Sequence, residues 1–223
     1  MGTKSVINTD RLYWLGRYSE RVYTTLKLFG KSFDELIEQM TETDYSKFCT
    51  TLEIPNIYTD KDDFIARYPF DLTDPNSIIS NLTRAYDNAI ELREEIGSET
   101  LSYIQMALYS MQKAKGDQAP AIEFQNVTDD ILAFWGIVDD QIDDENTRNI
   151  IKVGKRVERL DLYTRLHMSR VDINREIQRL AGRIDRCSLR YRTQSITELQ
   201  EAIQAETLDY PAILKSVESI LEV

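Results

Sequence analysis

A six-residue pattern of this chain recurs 138 residues later. Gly16-Arg17-Tyr18-Ser19-Glu20-Arg21 and Gly154-Lys155-Arg156-Val157-Glu158-Arg159 both read Gly, base, two variable positions, Glu, Arg. Their flanks align as well: Leu12, Leu15, Val22 and Leu28 match Ile150, Val153, Leu160 and Leu166. Both copies lie in stretches with apolar residues every three or four positions, the pattern of a helix with one buried stripe. Within a helix, Glu20 faces Arg17 and Gly16, and Glu158 faces Lys155 and Gly154. A glycine inside a helix costs roughly 1 kcal/mol against alanine. Two glycines at the same offset therefore predict a close approach, with the other Glu-Arg helix, packed near a pseudo-twofold axis, as the candidate neighbour.

The rest of the chain is helical in the same way. Asn8-Thr9-Asp10 supplies capping side chains, and apolar residues follow at 12, 15, 22, 26, 29, 33, 36 and 40, a heptad interrupted only by Ser19. This predicts a helix to about Thr43, then a short one over Tyr45–Leu52. Residues 54–76 hold three prolines and read as irregular. Asp74-Pro75-Asn76-Ser77 turns into a helix with a stripe of Ile78, Ile79, Leu82, Ala85, Ala89, Leu92 and Ile96. Gly97 stops it, and Ser98 is the expected cap of the next, with Leu101, Ile104, Leu108 and Met111. Ala114–Pro120 reads as a loop. A helix from about Thr128 carries Ile131, Leu132, Trp135 and Val138. The second Glu-Arg helix follows, running toward Arg192 with a break near Arg170. Ser195 is expected to cap a short helix, and Pro211 opens a last one ending at Leu221. No segment of useful length alternates with strand period. The expected architecture is all-α, an antiparallel multi-helix bundle with a pseudo-repeated Glu-Arg helix, in one domain spanning 1–223.

Charge and cysteine usage narrow the function. The net charge of −11 argues against a nucleic-acid or anionic-membrane binder, although local basic patches remain compatible with it. Cys49 and Cys187 lack metal-motif spacing and read as free thiols of a reducing compartment. No apolar run approaches the roughly 18–20 residues a bilayer span needs, so a cytoplasmic protein is expected. His167, the only histidine, removes histidine-pair zinc sites and Glu-x-x-His di-iron sites; on the heptad count it faces the core. Tyr13 and Trp14 read as core. Asp139, Asp140 and Asp143 spell D-D-x-x-D, a pattern that shares Mg²⁺ with a diphosphate when it lies on one helix face. The same residues also suit an acidic, solvated helix start. No metal or cofactor is assigned.

For the doubled motif two readings stand side by side. One is a buried charge network between two helices; the other is a ligand or catalytic site.

The residues carrying the motif also resemble a known family. Leu12-Tyr13-Trp14-Leu15-Gly16-Arg17-Tyr18-Ser19-Glu20-Arg21 is similar to the opening signature of the alpha-E domain, a bacterial all-helical family named for its Glu-Arg motifs. Asp74-Pro75-Asn76-Ser77-Ile78 resembles that family's Asn-Pro-x-Ser-Ile helix start. Ala85 through Arg93 resembles its Asn- and Arg-bearing middle helix, with Asn88, Ala89 and Arg93 in place, and Val153 through Arg159 resembles its second Glu-Arg segment. Two of the family's middle-helix arginines fall on Tyr86 and Ile90 here, and an expected aromatic falls near Arg148.

The resemblance implies a setting rather than a reaction. Members are typically encoded beside, or fused to, circularly permuted ATP-grasp ligases and transglutaminase-like proteins. It implies an accessory or co-catalytic partner of a peptide- or amide-ligase system, presenting a peptide or amino-acid substrate. Arg17, Glu20, Arg21, Asn88, Arg93, Lys155, Glu158 and Arg159 are the ligand-binding candidates. Arg21, Arg93 and Arg159 would hold carboxylates, and Glu20 and Glu158 would orient those arginines or hold an amine. The alternatives are a stand-alone enzyme of amide or Mg²⁺-diphosphate chemistry, and a self-associating structural bundle, with a homo-oligomer as its product.

Overall fold

The computed structural model of the chain describes residues 6–39, 42–116 and 120–221. Among the described residues eleven helices make up the regular structure: α1 Val6–Gln39, α2 Glu42–Leu52, α3 Lys61–Arg67, α4 Ile78–Glu91, α5 Arg93–Ile96, α6 Ser98–Ala114, α7 Ala121–Gln141, α8 Glu145–Arg165, α9 Arg170–Ile184, α10 Thr193–Ala202 and α11 Tyr210–Glu218. The only β-type pairing among the described residues is one bridge between Tyr191 and Leu221. The all-helical expectation holds. No described helix is long and apolar enough to cross a membrane.

Short polar side chains set many of the helix starts. Asp60, Ser77, Asp144, Ser169 and Asp209 each accept the amide three residues on, at the heads of α3, α4, α8, α9 and α11. Such a cap is worth about 1 kcal/mol. Ser77 and Pro211 act where the turn chemistry places them. Ser98 does not cap α6: it is the first helical residue, and its hydroxyl accepts from Arg93 Nε at 3.0 Å. Ser195 likewise sits inside α10, whose N-cap is Arg192. Gly97, at φ 81°, ends α5.

Chain contacts divide into two compact units. The first comprises Met1–Arg17 with Asp143–Val223; the second comprises Tyr18–Ile142.

In the first unit, α8 packs on α9 and α11, and α10 packs on α11 and α9. The core side is apolar: Ile150, Val153, Val157 and Leu160 of α8 meet the unit's other buried residues, among them Ile173, Ile177, Leu180 and Ile213. Unusually for so polar a helix, α8 is buried on most of its surface, Lys152, Lys155, Glu158 and Asp161 included. Buried charges need partners, because desolvation costs several kcal/mol per ion. Arg170 closes the far end of α10, donating to the carbonyls of Ile203, Ala205 and Glu206, the last two at 2.6 and 2.9 Å.

In the second unit α6 pairs with α7 and α4 packs on α6. The α4 stripe is buried as its spacing requires, and α1 buries Val22, Leu26 and Phe29. The side chains of Phe33, Leu36 and Met40 fall outside the described residues. Phe64 is the hub of an aromatic cluster, with Phe29, Tyr45, Phe48, Tyr58 and Tyr68 rings 5.1–5.9 Å from it. This explains α3, a helix not expected inside 54–76. Asp60 caps it and Phe64 anchors it.

Two further expectations are corrected. The helix expected from Thr128 begins at Ala121, because Phe124 and Val127 extend its buried stripe one turn and more upstream; Leu132 faces out instead. The second Glu-Arg helix stops at Arg165 rather than near Arg170. Leu166 caps it, His167 takes a left-handed φ of 50°, and Ser169 starts α9. His167 is consequently exposed, not core-facing, and stacks on Tyr210 at 4.3 Å.

Candidate functional site

The site begins with two glycines. A Cβ built on Gly16 would run into the carbonyl oxygen of Ile151, with the carbonyl carbon at 2.9 Å and Lys155 N at 3.0 Å. A Cβ on Gly154 would run into the carbonyl oxygen of Tyr13, with its carbon at 3.1 Å and Arg17 N at 3.2 Å. Ile151 lies three residues before Gly154, and Lys155 one after. Tyr13 and Arg17 bear the same relation to Gly16. Each glycine thus meets the same two backbone groups of the other helix. This reciprocity is that of a local pseudo-twofold axis, and α1 and α8 touch there backbone to backbone.

Such an approach positions the charged groups that follow the glycines. Arg17 Nε donates to Glu158 Oε2 at 2.6 Å, across 141 residues of sequence. Glu158 is 1% exposed and Arg17 17%. Burial works against the Arg17 charge, but the Glu158 carboxylate, with Tyr13 and Asp161, outweighs it and raises the guanidinium pKa. Arg17 therefore stays charged at every working pH. Its guanidinium also lies over the Trp14 and Tyr13 rings, 5.1 and 5.9 Å from their centroids. Tyr13 is buried; its hydroxyl pKa is raised, by burial first and with Glu158 and Asp161 adding to it, against the pull of Arg17. Trp14, expected in the core, is 40% exposed; its ring meets Tyr13 edge-on and lies beneath the Arg17 guanidinium.

Two more ion clusters continue along α8. Arg156, at a variable position of the motif, donates to Glu176 of α9 at 2.7 Å, and Arg179 joins at 2.9 Å. Asp161 accepts from Arg165 at 2.8 Å, which also reaches Glu218 at 3.0 Å. Neither cluster was among the candidates. The i,i+4 spacing of Asp161 and Arg165 was the legible signal; Arg156 with Glu176 had none.

The remaining candidates distribute as follows. Lys155 and Arg159 are on α8 in the first unit, Lys155 buried and Arg159 half-buried. In the second unit Glu20 is wholly buried and accepts from Thr24 Oγ1 at 3.0 Å. The carbonyl of Arg21 accepts from Thr25 Oγ1 at 2.7 Å, and the Arg21 charge acts on the buried Tyr68 hydroxyl. Asn88 is half-buried on α4, and Arg93 is exposed. Ser19, the interruption in the heptad, is fully buried, with no hydrogen-bond partner for its Oγ.

The acidic pattern does not assemble on one helix. Asp139 and Asp140 are exposed in the last turn of α7, which ends at Gln141, and Asp143 follows in the connection to α8. The i, i+1, i+4 spacing assumed a helix running through. Among the described residues, no group of three or more His, Cys, Asp or Glu is arranged to hold a metal ion.

Fold and site together define an all-helical protein built on two crossing Gly-base-x-x-Glu-Arg helices. This is the class that the family comparison names. The chain belongs to the Alpha-E family, described as a predicted alpha-helical domain with a conserved ER motif, whose model matches residues 8–220. No curated protein and no solved structure matches the chain.

Proposed function

We propose that this protein is a cytoplasmic accessory subunit of a peptide- or amide-ligase system of the ATP-grasp type, associated with a transglutaminase-like protein. It forms one functional domain over 1–223 and presents a peptide or amino-acid substrate to the ligase. The observation that carries the accessory role is the use made of the motif at the crossing. Arg17 and Glu158, the groups a catalyst would need to expose, are joined in a part-buried pair, its carboxylate enclosed, that fixes two helices. That is the work of a scaffold. The ligase setting rests on membership in the Alpha-E family and on the neighbours that the resemblance implies. A substrate carboxylate would be held by Arg21, Arg93 or Arg159, whose planar forks suit it.

Co-purification tests the reading. The chain, tagged at its C-terminus, is expressed with its genomic neighbours, and the eluate is identified by mass spectrometry. An ATP-grasp ligase recovered in stoichiometric amount is the expected result. Elution alone, with the neighbours soluble, overturns it.

A further inference from the structure

Residues 165–192 hold eight arginines, no lysine and three carboxylates, in a chain whose net charge is −11. The fold turns most of these arginines outward. On α9 the apolar side is buried through Ile173, Ile177, Leu180 and Ile184, which leaves Arg175 and Arg179 exposed. Each is held by a carboxylate three residues away, Asp172 and Glu176. Beyond the helix, Arg186, Arg190 and Arg192 are exposed as well. Among the described residues these three guanidinium groups have no hydrogen bond or ion pair. Asp185, the nearest carboxylate in sequence, accepts from the Tyr191 hydroxyl instead.

We propose that this arginine edge of the first unit docks an acidic segment of a protein partner, a run of Asp and Glu side chains. The inference deepens the accessory-subunit reading by naming a surface, and depends on it only for the partner's identity.

Two features select a protein carboxylate over a nucleic acid. The guanidinium fork itself binds carboxylate and phosphate alike in bidentate fashion, so the surroundings decide. The rest of the chain is strongly negative, which repels a long polyanion passing beyond the patch but tolerates a short acidic segment confined to it. Stacking surfaces for bases are also scarce here: His167 and Tyr191 are the two aromatic side chains between Arg165 and Arg192, and His167 is already stacked on Tyr210.

The test compares the full chain with Arg186→Glu/Arg190→Glu/Arg192→Glu. Circular dichroism first establishes that the variant is folded, as exposed positions allow. Fluorescence anisotropy then follows a labelled polyglutamate peptide and a labelled oligothymidylate of equal charge. The expected result is peptide binding by the wild type that weakens with salt and falls at least about tenfold in the variant. Absence of peptide binding, equal binding by both proteins, or tighter binding of the oligonucleotide overturns the proposal. So does a concentration-dependent dimer that charge reversal dissolves, because the occupant is then a second copy. In co-purification, a ligase retained by wild type and lost by the variant supports the surface. Retention by both overturns the surface and leaves the accessory reading intact. If wild type retains no ligase, the accessory reading fails and the peptide result alone decides the surface.

Discussion

Gly16 and Gly154 occupy equivalent places in each other's helix: each lies against the carbonyl three residues before the other and the amide one residue after it. A side chain at either position would meet backbone, which cannot swing aside. Gly16→Ala and Gly154→Ala should therefore each destabilise the protein by about 2–4 kcal/mol, more than the roughly 1 kcal/mol of helix propensity that alanine returns. Gly136 and Gly182 supply the opposite sign. Both lie inside helices with open space where a Cβ would go. Alanine there should stabilise by about 0.5–1 kcal/mol. Urea denaturation of the four variants checks the contrast; a Gly16→Ala protein as stable as wild type would remove the crossing from the account.

The Arg17–Glu158 pair gives the second prediction. Glu158→Gln leaves a half-buried guanidinium without its nearest countercharge and strands the enclosed side chain at 158, a change that costs about 3 kcal/mol and at most about 5. For a chain of this size that lowers the melting temperature by roughly 6–20 °C. Arg17→Met/Glu158→Gln removes both charges and should recover part of the loss. Scanning calorimetry of the three proteins separates a buried pair from a surface one, for which all three would melt within a degree or two.

How far the sequence revealed these features depends on what is local. The two glycines announced a close approach because each breaks a helix rule at the same offset, and the approach is found where the motif repeats. The stripe from Ile78 to Ile96 was legible because it keeps one period, but the single helix expected to carry it breaks at Leu92 into α4 and α5. By contrast, the pairing of Arg17 with Glu158 spans 141 residues, and nothing local points to it. Helix α3 escaped notice because its seven residues carry one large apolar anchor, Phe64, whose neighbours come from distant segments. His167 was misplaced because a heptad count runs on through Leu166, where the helix has already turned. Arg186, Arg190 and Arg192 were plain in the sequence as charges, but their exposure follows from where α9 ends.

The buried polar contact in the second unit yields a third prediction. Tyr58 donates its hydroxyl to Asp74 Oδ2 at 2.9 Å, and Asp74 also accepts the Asn76 amide at 2.8 Å in the turn that leads into α4. Tyr58→Phe keeps the ring in the Phe64 cluster and removes only the donor. The loss should be about 1–3 kcal/mol, the cost of stranding part of a buried carboxylate. Hydrogen exchange should rise at Asn76–Ser80 while α9 is unaffected. Equal exchange in both places would mean that the contact does not hold the turn.

Alkaline pH supplies the last prediction. Burial, helped by the Asp74 charge, pushes the Cys49 thiol from its usual 9.0 up to about 11. Burial first, then the Asp74 hydrogen bond, also raises the Tyr58 hydroxyl above its ordinary 10.0, and burial raises Tyr68 in the same cluster. Each of these groups holds its proton more tightly folded than unfolded. Between the unfolded and folded pKa the native state binds more protons, so stability falls as pH rises. The decline should begin near pH 9 with Cys49 and with Cys187, whose thiol burial also raises, and steepen above 10 as the two tyrosines join. The urea midpoint, followed from pH 8 to 11 by circular dichroism, measures it. Cys49→Ala lowers the starting stability through the cavity it leaves, yet should flatten the slope between pH 9 and 10, where Cys49 alone contributes among the cluster's three groups. An unchanged slope in that interval would assign the alkaline loss to groups outside the aromatic cluster.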